Sequence, residues 1–250
     1  MDLRVYIKLL AFASASLLCA QLISCTQIKH AEPLAQPAIP TDFVVVNDLL
    51  NNVSFDIRYH GNNNFVGKPV TGYHAPLCIL HKQVADALAK AATAAEQAGY
   101  RLKIFDCYRP QQAVDHFVQW TRNLSDQTTK ARYYPNLNKN SLLGPYIAEK
   151  SGHSRGASLD LTLEKRSDSG QWQELDMGTL FDFFDPLSNT FNPATTQKVL
   201  NNRQLLIRFM QAGDFVNYNM EWWHFSYPDQ PYPNTYFNFP VVKRIDSADY

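Results

Sequence analysis

The segment "ASLDLTL" (157–163) is the strongest local constraint on the fold. Read as extended chain, Ala157, Leu159, Leu161 and Leu163 face one way and Ser158, Asp160 and Thr162 the other. Such a strand has to pair in a sheet and bury its aliphatic side. Helices to cover it are spelled out nearby. "LHKQVADALAKAATAAEQAG" puts Val84, Leu88, Ala91 and Ala95 on one stripe with Gly99 as a stop, and "TTQKVLNNRQLLIRFMQAG" repeats the pattern up to Gly213. "YRLKIFDCY" alternates as another strand, and Pro110 opens the helix "PQQAVDHFVQWTRN" from its first turn. "FVNYNMEWWHFSY" reads as a strand pair or hairpin. Helices and strands do not follow a βαβ rhythm. The expected fold is therefore a single α+β domain, a central antiparallel sheet flanked by helices.

The N-terminus reads differently. Arg4 and Lys8 precede the apolar run "LLAFASASLLCAQLIS", which is too short to span a membrane comfortably and ends in "LISC". Residues 1–24 are expected to be an export signal. Cys25 would then be acylated as in bacterial lipoproteins, or cleavage would occur nearby with no lipid. Residues 25–42, polar and punctuated by proline, form a tether, and the folded domain spans 43–250. The expected location is the periplasm or cell envelope, with membrane contact only through a lipid at Cys25. An oxidising compartment also makes Cys78 and Cys107 candidates for one disulfide, two buried thiols being the alternative. Lys and Arg number 23 and so do Asp and Glu, a balance that argues against nucleic acid as a partner but not against a small zwitterion.

The chemistry-bearing residues fall in three clusters. In "NMEWWHFSY", Glu221 and His224 are separated by two indoles. On a regular strand they would face opposite ways, so a bulge or turn is required. A lone His among aromatics is most often a hydrogen-bonded core residue. A Glu beside Trp222 and Trp223, however, loses hydration, and a cation or metal belongs near it. In "SGHSRGASLDLTL", Asp160 lies on the polar face of a half-buried strand and His153 on the loop before it. Gly152, Gly156 and Ala157 are small enough to let that loop fold back. Two imidazoles and a carboxylate make a zinc donor set with a fourth position for water, whose pKa the metal lowers. Glu221, not a ligand, suits the base that carries the water's proton to a leaving amine. In "DCYRP", Arg109 is placed either to bind an oxyanion or to pair structurally with Asp106. His116, on a helix, and His60, His74 and His81 have no partner at ligand spacing, and His30 lies in the tether.

Together, "DCYRP", "SGHSRGASLDLTL" and "EWWHF" resemble the zinc D-alanyl-D-alanine dipeptidases, the group that includes the vancomycin-resistance dipeptidases. "DIRYHGNNNFVGKPVTGY", "YYPN", "MGTLFDFFD" and "QPYPNTYFNFPV" follow the family's order as well, so the resemblance covers about residues 43 to 242. It implies a zinc site at the sheet, with one ion per chain held by His153, Asp160 and His224. It implies Glu221 as general base and Arg109 as transition-state stabiliser. Ser151, Asp182 and Tyr59 fall where the family contacts its small substrate, although such residues also cap turns and fill sheets. Two departures are mild. Cys107 stands where Gly is common, and "GAS" replaces a Gly-Ser-Ala order; neither removes a reactive group.

The activity so implied is hydrolysis of D-Ala-D-Ala to two D-alanines in cell-wall peptide metabolism. The same metal set also serves D,D- or L,D-carboxypeptidases and endopeptidases acting on peptidoglycan stems. A catalytically silent wall-binding protein would have been signalled by a lost ligand or base, and none is missing.

Overall fold

The computed structural model describes residues 39–243. The leader, Cys25, His30 and the tether as far as residue 38 lie outside the described residues.

Strands β1 (Phe43–Val45) and β3 (Ile79–His81) pair as a small antiparallel sheet. The main sheet runs β2 (Val53–Phe55), β4 (Tyr100–Asp106), β5 (Ser158–Arg166), β8 (His224–Ser226) and β7 (Val216–Asn217), while β6 (Trp172–Glu174) pairs with the far end of β5. All of these pairings are antiparallel except β2 with β4. Between β2 and β4 the chain passes through β3 and helix α1 (Lys82–Gln97), the long crossover a parallel pair requires. The architecture is a mixed α+β domain with a sheet flanked by helices.

The Ala-rich stripe of α1 is buried as its period requires, and Gly99 ends it at φ +80°. The helix starts later than the apolar pattern suggests, because Leu80 and His81 belong to β3 and the His81 ring accepts from Gln83 N–H as a cap. Pro110 caps α2 (Gln111–Arg122) from just outside it. A short helix α3 (Lys130–Tyr133) and the long α4 (Gln197–Gln211), capped by Thr196, complete the set. Just after α4 the chain passes so close to α1 that a Cβ on Gly213 would lie 2.2 Å from the Ala87 carbonyl oxygen.

One expectation fails on β5. Its Ser-Asp-Thr face is not half-buried: Ser158, Asp160 and Thr162 are as buried as the leucines. The chain after β6 folds over that face, packing Phe181 against Phe105 and Trp223. Alternation in sequence records polarity, not exposure, and here the polar side meets a second layer that distant residues supply. Cys78 and Cys107 form a disulfide that ties the start of β3 to the segment just past β4.

Candidate active site

Three local devices bring the candidate residues together. The first is a tight 3-10 turn, Gly152–Arg155, whose entry is capped by Ser151: its Oγ accepts from His153 N–H at 3.2 Å. The turn ends at Gly156 with φ +75°, and a Cβ there would stand 2.2 Å from the Phe43 ring, so only glycine fits. This folds His153 back over β5. The second is strand pairing, which sets Asp160 directly opposite His224. The third is the turn that the Glu221–His224 spacing demanded. Glu221 N–H donates to Tyr218 O and His224 N–H to Glu221 O, so the base candidate sits on the turn and the imidazole on the first residue of β8.

The donor atoms of His153, Asp160 and His224 all lie within 4.8 Å of one another. His153 Nε2 is 3.0 Å from His224 Nδ1, and Asp160 Oδ1 lies 3.3 Å from the former and 2.9 Å from the latter. The outward nitrogens are occupied. His153 Nδ1 meets the Cys107 carbonyl at 2.7 Å, and His224 Nε2 meets Ser226 Oγ at 3.3 Å. The carbonyl can only accept, so His153 carries its proton on Nδ1 and turns the Nε2 lone pair inward, while the Ser226 hydroxyl orients the His224 ring with Nδ1 inward. Two imidazole nitrogens and a carboxylate oxygen facing one point fit a divalent transition metal of the zinc type. Burial penalises the charge on Asp160, but the two imidazoles outweigh it and hold the carboxyl below its ordinary range. Burial keeps His153 neutral, the form that coordinates.

Around this set lies a cavity of about 330 Å³ lined by all the candidate residues, among them Glu221, Arg109, Tyr59, Asp182 and Ser151. Burial pushes Glu221 up to about 7, with His224 pulling the other way. Arg109 makes the structural pair with Asp106 and also faces the cavity. Nε donates to Asp106 at 2.9 Å and Nη2 reaches Asp160 at 3.2 Å, while the guanidinium sits over the Tyr59 and Phe117 rings and still borders the cavity. Asp106 is fully buried and also accepts from Tyr73 at 2.6 Å. Asp182 stands at φ +60° and accepts from the Tyr59 hydroxyl at 3.0 and 3.1 Å. Burial, reinforced by the Asp160 carboxylate, raises the Asp182 carboxyl well above its ordinary value. Trp223 walls the cavity, whereas Trp222 packs behind it and donates to Thr179.

Among the described residues the remaining histidines, His60, His74, His81 and His116, stay outside. His116 accepts from Thr71 N–H, and His81 pairs with Asp42 beside α1. Sequence reading missed the support for the Glu221 turn. Asn217 donates from its amide to the carbonyls of Glu221, Trp222 and His224. Nothing in the spacing of "FVNYNMEWWHF" marks that Asn apart from Asn219.

The cavity carries a metal-type donor set, and comparison with known sequences makes the protein a peptidase. The chain belongs to the Peptidase_M15 family, described as D-ala-D-ala dipeptidase, whose pattern matches residues 40–242. It is similar to D-alanyl-D-alanine dipeptidases of Enterococcus faecalis (40% identical, covering 80% of this chain and 98% of the relative), Enterococcus faecium (38%, with the same coverage) and Streptomyces coelicolor (39%, again 80% and 98%).

Proposed function

We propose that this protein hydrolyses the dipeptide D-Ala-D-Ala to two D-alanines, using one zinc ion held by His153, Asp160 and His224. The observation that carries the reading is the convergence of that donor set with Glu221 and Arg109 on one small cavity. At about 330 Å³ it lies at the lower end of ligand cavities, roughly 300–1,000 Å³, which suits a dipeptide better than a peptidoglycan stem. The names of the relatives point the same way.

Bound zinc would supply Lewis-acid polarisation of the scissile carbonyl and acidify the attacking water. Glu221 takes the proton of that water and passes it to the nitrogen of the leaving D-alanine. Burial, which pushes this carboxylate up to about 7 before any metal binds, strengthens it as a base for that double duty. Arg109, anchored on Asp106 and Asp160, donates to the oxygen that gains charge as the carbonyl is attacked. Asp182 and Tyr59 receive the substrate ammonium, whose charge offsets the unfavourable burial of Asp182. Ser151 accepts from its own turn and keeps its hydroxyl proton for the substrate carboxylate.

We place the enzyme outside the cytoplasm, as an exported protein anchored through Cys25. The Cys78–Cys107 disulfide supports an oxidising compartment. The test runs zinc-loaded wild type and Glu221→Ala side by side on D-Ala-D-Ala and on a pentapeptide ending in D-Ala-D-Ala. The expected result is cleavage of the dipeptide alone, reduced about 10²–10⁴-fold by the substitution. Pentapeptide cleavage would move the protein to the carboxypeptidase class, and activity surviving in Glu221→Ala would remove Glu221 from the mechanism.

A further inference from the structure

The segment that carries Asp182 is held at both ends by one buried cation. Arg203, on α4, is 1% exposed and makes no ion pair among the described residues. Its guanidinium donates instead to backbone carbonyls. Nε and Nη2 reach Met177 O at 2.9 and 2.6 Å, Nη2 also reaches Leu187 O at 3.0 Å, and Nη1 reaches Asn189 O at 2.7 Å and Thr190 O at 3.5 Å. A buried charge whose favourable carboxylate, Asp176, acts on it without a contact ion pair is expensive to keep. What arginine offers in return is a planar fork of donors that meets both flanks of one loop at once. The adjoining chain leaves room for it: a Cβ on Gly178 would come within 3.3 Å of Nη2.

Two functional groups hang on this clasp. Between the clasped ends lies Asp182, held at φ +60° in the cavity. From the far end, Trp222 N–H donates to Ser188 O and Thr190 N–H to Asn219 O, so the same segment backs the turn of Glu221. Thr190 Oγ1 also donates to Asn217 Oδ1 at 2.7 Å, and it is the Asn217 amide that binds the Glu221 and His224 carbonyls. We infer that Arg203 is a positioning residue: by clasping residue 177 to residues 187–190 it sets where Asp182 and Glu221 stand in the cavity while touching neither. This rests on the roles proposed above for those two residues.

The test uses the zinc-loaded full chain below its melting temperature. Arg203→Lys keeps the charge but cannot span the two flanks. Its kcat/KM on D-Ala-D-Ala should fall about 10–100-fold with zinc still stoichiometric, the scale on which small misplacements act. Thr190→Val, a milder change, removes only the hydroxyl link to Asn217; kcat should fall roughly 3–10-fold with KM held. Amide hydrogen exchange supplies a readout independent of activity. In Arg203→Lys it should accelerate about tenfold or more in 177–190 and 218–224 and stay unchanged in β5. Wild-type kinetic constants in both variants, or exchange that quickens evenly along the chain, would overturn the inference. Should Arg203→Lys not fold, the kcat and local exchange of Thr190→Val decide it. A wild type inactive on D-Ala-D-Ala would sink the dipeptidase reading, and the exchange pattern would then decide the clasp alone.

Discussion

Removing the Cys78–Cys107 bridge tests how the catalytic edge of the sheet is held. The bridge closes a loop with a sequence separation of 29, and the chain-entropy relation for that length gives about 3.6 kcal/mol of stabilisation at room temperature. For a domain of this size each kcal/mol moves the melting temperature by about 2–4 °C, so the Cys78→Ala/Cys107→Ala protein should melt roughly 7–14 °C below wild type. Both cysteines are buried, so the small cavities left behind push the figure toward the upper end. The site itself should survive at temperatures below the transition. The Cys107 carbonyl that orients His153 sits in a segment that two backbone bonds continue to hold, Tyr108 N–H to Ile79 O and Arg109 N–H to His153 O. Differential scanning calorimetry, with zinc titration of the same samples at 25 °C, checks both halves. A melting point within about 3 °C of wild type would refute the loop-entropy argument. A normal loss of stability accompanied by loss of zinc binding would show that the covalent bond, not the backbone pairing, orients His153.

Other perturbations separate geometry from chemistry. Gly156→Ala forces an alanine into φ +75° and a Cβ into the Phe43 ring; it should cost about 2–5 kcal/mol by chemical denaturation and lower the zinc content of whatever folds. Glu221 gives a pH signature: as the proposed base it must be ionised, so log kcat/KM should drop with unit slope on the acid side, at a pH that a bound divalent cation pulls below the metal-free value of about 7, and Glu221→Gln should lack that limb. The metal-free fold should show the opposite preference. Burial raises Glu221 above its unfolded value of 4.5, so ionisation opposes folding, with no penalty below pH 4.5 and the full penalty above about 7. Glu221→Gln apoprotein should therefore be about 3 kcal/mol more stable than wild type at pH 8 and equal to it at pH 4, read by urea melts. Asp160→Asn should abolish stoichiometric zinc binding in a metal assay, since it withdraws the one anionic ligand of the set.

What could be read in the sequence and what could not divide along a physical line. Periodicity is local, so the Leu159–Leu163 alternation, the α1 stripe and the need for a turn between Glu221 and His224 were all legible before any coordinates. Glycine is local too, and the small residues after His153 announced a chain reversal, which the structure realises at Gly156. The covering of the Asp160 face was not legible, because it depends on Phe181 and Trp223 arriving from separate segments. The parallel pairing of β2 with β4 likewise depends on a crossover whose ends carry no mark of each other. The deepest omission is of one kind. Arg203 and Asn217 act through backbone carbonyls, and every residue carries a carbonyl, so no partner type stands at any spacing to betray them. Side chains that meet a reacting group must be of a particular chemistry and can be found by it. Side chains that hold a loop in place need only reach it, and reach is a property of the folded chain. The residues most open to functional reading are thus those whose own chemistry the proposed reaction requires, while those that hold the loops become visible only once the loops have closed around them.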